Sequence, residues 1–111
     1  MGADNTYGET NFNSDTVVQE YRKASAEALG FTNSWSADGY KWQPDKDANQ
    51  REMIEDWLIE QGCGLQYQYD IYDDNEWSII IDGDDGGYGI DKSKSPAFMK
   101  AFMEYITNKL K

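Results

Sequence analysis

The feature that most constrains this chain is a change of period at Gly62. After it, in LQYQYDIY, Leu65, Tyr67, Tyr69 and Ile71 alternate with Gln66, Gln68, Asp70 and Tyr72. Side chains of a strand point to opposite faces in turn, so this run predicts a strand with one covered face. DDNE then reads as a turn, and WSIIID puts Trp77, Ile79 and Ile81 on one face. So short a separation predicts an antiparallel hairpin, to which YGID can add a short third strand.

Before Gly62 the period is helical. SDTVVQEYRKASAEALG sets Val17, Val18, Tyr21, Ala24, Ala28 and Leu29 along one stripe, with Ser14 or Asp15 to cap it and Gly30 to close it. FTNSWSADGYKWQP reads as a loop packed by Phe31, Trp35, Tyr40 and Trp42. DANQREMIEDWLIEQG predicts a second helix: Asp47 and Gln50 have capping-box spacing, and Met53, Ile54, Trp57 and Leu58 form its apolar face. Beyond the strands, Ser95 and Pro96 are placed to start a last helix on Phe98, Met99, Phe102, Met103, Ile106 and Leu110. The order helix, helix, two or three strands, helix predicts an α+β layered sandwich, a small antiparallel sheet covered by helices on at least one face. The 111 residues suit one domain, spanning 14–111 behind a flexible polar leader, 1–13.

Several chemistries are removed by what the chain lacks. There is no histidine and one cysteine, Cys63, so an internal disulfide, a Ser-His-Asp or Cys-His centre and a histidine zinc site are all excluded. Without an imidazole to lower its pKa, Cys63 between two glycines reads as a small residue at a helix-to-strand turn. No run approaches the ~18 apolar residues of a membrane helix, and MGADNTYGETNFNSD lacks the regions of a signal peptide. A cytoplasmic protein without a membrane partner is expected.

Charge is segregated. Residues 52–91 hold twelve acids and no base, whereas residues 92–111 hold five bases and one acid. The whole chain carries −11. The acidic span repels nucleic acid and anionic membranes and attracts cationic surfaces, so direct nucleic-acid binding is not expected.

The succession EALGF, YKWQPDKDANQREMIEDWL, alternating strands and KSPAFMKAFMEYI resembles the phage ABA-sandwich family of small bacteriophage proteins over roughly residues 20–106. Its most recognisable pieces are Leu29 with Gly30 and the opening of the second helix at Trp42, Pro44 and Asp47. The resemblance implies a phage or prophage origin, with a host cytoplasm as the setting, and a layered helix-sheet-helix fold. It implies no activity and no functional residues.

The segment IIIDGDDGGYGID ends its apolar run in carboxylates and glycines. As an EF-hand loop starting at Asp82 it has Asp84 and Gly87 in place, but Gly86 at position five, Ser93 at position twelve and a strand in front. A Gly-rich turn is the better reading, its glycines supplying positive φ. GDDGGYG has neither lysine nor Walker spacing for a phosphate. Paired carboxylates near tyrosines are the ingredients of a glycosidase, but so small a chain offers no evident cleft. The expectations are therefore no catalytic residue, no metal and no cofactor.

What remains is an interaction protein that presents acids and tyrosines to a basic host protein, as an inhibitor of host defence or nucleic-acid metabolism. Its expected contact residues are Tyr72, Asp73, Asp74, Glu76, Asp82, Asp84, Asp85 and Tyr88. The other reading is a structural or housekeeping phage protein whose charge keeps it soluble.

Overall fold

The computed structural model describes residues 15–31, 42–72 and 75–110. Along the chain they form α1 (Asp15–Ala28), α2 (Ala48–Glu60), β1 (Gly64–Asp70), β2 (Glu76–Asp82), β3 (Gly87–Asp91) and α3 (Lys94–Lys109). This is the expected α+β order, with the third strand present.

The α1 stripe buries Tyr21, Ser25 and Ala26 completely, with Val17, Val18, Ala24, Ala28 and Leu29 packed around them. Ser25 is the polar member of that stripe. Its hydroxyl donates to the Tyr21 carbonyl at 2.8 Å and accepts the Trp42 indole N–H at 2.9 Å, so both groups are satisfied away from water. Gly30 ends the helix at φ 85°, a left-handed value that glycine adopts without steric cost. Trp42 is buried against Phe31, edge to face. Trp35, Tyr40 and the cap expected at Ser14 lie outside the described residues, as does the leader.

Asp47 caps α2 by accepting from the N–H groups of Asn49 and Gln50. The reciprocal half of the expected capping box is absent: Gln50 instead accepts the Gln43 N–H, tying the preceding turn to the helix. Ile54 and Leu58 are the buried residues of α2 and Trp57 is half-buried. Met53, expected on the apolar face, is 41% exposed. At α3 the N-cap is Ser93, not Ser95, and it makes no side-chain capping bond. Ser95 lies one step inside the helix and donates to the Asp45 carbonyl at 2.6 Å, a long-range tether. Pro96 falls in the first turn, where its missing N–H has no intrahelical partner to lose.

The sheet is an antiparallel meander, β1-β2-β3, without an offset in register. Its covered face carries Leu65, Tyr67 and Tyr69 opposite Ile81, Ile79 and Trp77, then Gly87, Gly89 and Asp91. Helix α3 lies on this face with Ala97 and Ala101 against the β3 glycines. A Cβ on Gly89 would stand 2.6 Å from the Ala101 nitrogen and would also run into the Ala97 carbonyl; one on Gly87 would meet the Ala101 carbonyl and, at 2.9 Å, the Tyr105 nitrogen. Within GDDGGYG, positive φ occurs only at Gly86, at 62°. The turn reading thus explains one glycine of GDDGGYG, whereas Gly87 and Gly89 are there so that a helix backbone can touch a strand backbone.

Helix α3 is the inner element. Ala97, Phe98, Met99, Ala101, Phe102, Met103 and Tyr105 are all buried, a surface broader than one stripe. One flank meets the sheet, with Phe98 stacked on Tyr67. The other meets Tyr21 of α1 and Trp57 of α2 through Phe102. The described helices therefore cover one face of the sheet, while Gln66, Gln68, Asp82, Tyr88 and Ile90 of the other face are exposed. No helix among the described residues is long and apolar enough to cross a membrane.

Candidate protein-binding surface

The antiparallel register decides how the expected contact residues are distributed. Asp70 stands opposite Glu76, and Gly64 opposite Asp82. The acids before β2 and those after it are thus at opposite ends of the hairpin, separated by the length of a seven-residue strand, roughly 20 Å. Tyr72 and Glu76 belong to the first end, where Tyr72 is 93% exposed. Asp73 and Asp74 fall between them in sequence, outside the described residues. Asp82 ends β2 and Asp84 and Asp85 lie in the β2–β3 connection, all at the second end. Tyr88 is half-exposed on β3, opposite Ile80 and toward this second end. The six of these residues that the structure describes lie at two ends of the hairpin with a tyrosine at each, not in one constellation.

The first end is shaped by an Asx turn, in which Asp70 accepts the Tyr72 N–H at 2.9 Å, and by Asn75 at φ 52°. At the second, Asn108 of α3 donates to the carbonyls of Asp85 and Gly86 and fixes the turn. Lys109 approaches the Asp85 carboxylate at 3.9 Å, an exposed pair of little energetic weight. Glu76, Asp82 and Asp84 have no ion-pair partner among the described residues. A second row of acids, not singled out as contacts in the sequence, lies on α2. Glu52, Asp56 and Glu60 recur every four residues, which is the signal that places them on one exposed line of the helix.

Between α2 and β1 the Tyr67 hydroxyl donates to Glu55, and Arg51 Nε lies 3.7 Å from the same carboxylate. Burial first, and then this hydrogen bond, push the Tyr67 phenol above its ordinary pKa. A phenol held protonated by a carboxylate already engaged is a structural tie, with no free base or nucleophile. The rings of Tyr67 and Trp77 share a cation: Lys94 Nζ lies 5.1 Å and 5.2 Å from their centroids. No group of three or more metal-ligating side chains occurs among the described residues.

The two edges of the sheet differ. Along β3 the outward Tyr88 N–H donates to Glu104 at 2.7 Å and the outward Ile90 carbonyl accepts from Lys100 at 2.8 Å, so α3 occupies that edge with its own side chains. The alternation of an antiparallel ladder then makes Leu65, Tyr67 and Tyr69 the outward-facing residues of β1. Among the described residues their backbone N–H and C=O groups have no hydrogen-bond partner.

This arrangement can engage a cation-rich surface at either acidic end, along α2 or beside the open edge. Comparison of the chain with protein-family models, with curated proteins and with solved structures returned no match.

Proposed function

We propose that this chain acts by binding a basic protein, without a catalytic step, as a small acidic phage or prophage accessory protein in the cytoplasm of its host. The partner class that fits is a nucleic-acid-binding host protein, such as a defence protein, whose cationic surface it would occupy. The observation that supports this reading is uncompensated acidity. Among the described residues Glu52, Asp56, Glu60, Glu76, Asp82 and Asp84 have no ion-pair partner, while Lys92, Lys94, Lys100 and Lys109 cluster on and just before α3. A surface meant only for solubility can intersperse its signs at no cost. Segregated charge instead raises association rates with an oppositely charged partner and orients it, and exposed tyrosines add desolvated contact.

The test is capture from bacterial lysate by the immobilised protein, repeated with each acidic end reversed separately: Asp73→Lys with Asp74→Lys, and Asp84→Lys with Asp85→Lys. Binding of a basic partner should fall in at least one variant without loss of folding, and added salt should mimic the change. Full, salt-insensitive binding with both ends reversed, or capture of no basic protein, would refute the proposal and favour the structural, housekeeping reading.

A further inference from the structure

We propose that the open edge of β1 is a docking strip that accepts an extended basic segment of a partner protein as a fourth strand. The inference rests on the protein-binding reading above and assigns it a place and a mode. An unpaired strand edge is a template for another chain, and folded proteins ordinarily block it with lysine, proline, a bulge or a covering element. Among the described residues the block is one-sided. Glu104 and Lys100 close the β3 edge, whereas GLQYQYD of β1 has no lysine, no proline and an unbroken register with β2. The N–H and C=O groups of Leu65, Tyr67 and Tyr69 offer alternating donors and acceptors along its outer side.

Charge selects the occupant. The strip is bordered by Glu55 at Tyr67 and by Asp70 at the end of β1. The exposed Glu52, Asp56 and Glu60 lie on α2, the helix joined to β1 through that Glu55–Tyr67 bond. A second copy pairing edge to edge would bring two such acidic helices together, and each chain carries −11. Like-charge juxtaposition of that kind disfavours self-pairing while admitting a cationic strand. Side chains of the added strand would alternate, as in any strand addition, between the helix side, beside Tyr67 and Tyr69, and the open side, beside Gln66 and Gln68. Lysine or arginine on the helix side would meet Tyr69, which is 45% exposed and packs on Trp77.

The probe is a synthetic alternating Lys-Val peptide, titrated at low salt and followed by amide hydrogen exchange. Binding at the strip slows exchange of the Leu65, Tyr67 and Tyr69 amides by about tenfold or more at saturation and leaves Tyr88, already bonded to Glu104, unchanged. A peptide of the same sequence with alternate backbone nitrogens methylated keeps its charge but loses one row of donors. It should bind about tenfold weaker or worse. In the protein, Tyr69→Pro removes one outward donor at an edge position that tolerates proline and should weaken the unmethylated peptide comparably. Equal binding of the two peptides, or no protection at Leu65, Tyr67 and Tyr69, overturns the proposal. If a basic partner is captured in a manner sensitive to reversal of the acidic ends but indifferent to Tyr69→Pro, the strip is wrong and the protein-binding function stands. If neither peptide nor any basic protein binds, both fall.

Discussion

Gly89→Ala should be among the most damaging single-methyl changes in this protein. The added Cβ would stand 2.6 Å from the Ala101 nitrogen and 2.9 Å from the Lys100 Cβ, and would overlap the Ala97 carbonyl. Two of these three are helix backbone and cannot rotate away. Restoring ordinary contact requires α3 to move from β3 by roughly 1 Å, judged against normal van der Waals separations of about 3.5–4 Å between carbon atoms. That movement loosens the Glu104–Tyr88 and Lys100–Ile90 bonds and unseats Ala97, Phe98 and Ala101 together. Overpacking costs typically 1–3 kcal/mol, and with a rigid backbone obstacle on each side the upper end applies, about 3 kcal/mol. At roughly 4–8 °C per kcal/mol for a domain of this size, the melting temperature should drop by about 12–24 °C. Gly64→Ala is the control, because its Cβ would meet only the Asp82 Cβ, at an ordinary 3.7 Å. Thermal and urea unfolding of the two variants give the comparison. If Gly89→Ala unfolds within about 0.5 kcal/mol of Gly64→Ala, α3 does not rest on β3 as described.

Trp57→Ala should cost about 2–3 kcal/mol, below the range for a fully enclosed aromatic, because Trp57 is half-buried and touches Phe102 and Tyr105 edge-on; unchanged urea unfolding would mean α2 is turned the other way. Burial raises the phenol pKa of Tyr21 and of Tyr67, and burial followed by a hydrogen bond with Cys63 pushes Tyr105 up to about 12. Unfolded tyrosines release their protons near pH 10 while these are still protonated in the fold, so the unfolded state binds fewer protons and stability falls as pH rises. Denaturation midpoints should thus be insensitive to tyrosine ionisation below about pH 9 and decline between pH 10 and 12, by about 1.4 kcal/mol per pH unit for each such group; a flat profile to pH 12 would contradict their burial. Calcium should not saturate at micromolar concentration the amide shifts of residues 82–91, since that segment is a tight strand connection pinned by Asn108; saturation there would contradict the turn.

Periodicity made the elements legible because each buries one face, and a buried face must repeat with the geometry of its backbone. Leu65, Tyr67, Trp77, Ile79 and Ile81 announced the sheet in this way, and Phe98, Met99, Phe102 and Met103 announced α3. Roles that depend on a distant partner were not legible. Ser25 breaks an apolar stripe in sequence and is buried only because Trp42, seventeen residues later, supplies a donor for its oxygen. Gly87 and Gly89 read as turn residues because glycine looks the same whether it permits a positive φ or a close approach. The expected contact residues are neighbours in sequence, but β2 between them is extended and holds Glu76 and Asp82 at opposite ends of one strand. The open edge had no signal in β1 itself, since it follows from which strand α3 happens to close.

That α3 is the inner layer has a consequence for biosynthesis. The residues around which everything else packs, Lys94–Lys109, emerge from the ribosome after the sheet and the other two helices. Until they emerge, Tyr21 lacks Phe102 and the inner face of β2 and β3 lacks its covering helix, so the core closes only after α3 has been made. During that interval the run of twelve carboxylates would keep neighbouring nascent chains apart by electrostatic repulsion, a service to the unfinished protein that is independent of anything the finished one binds.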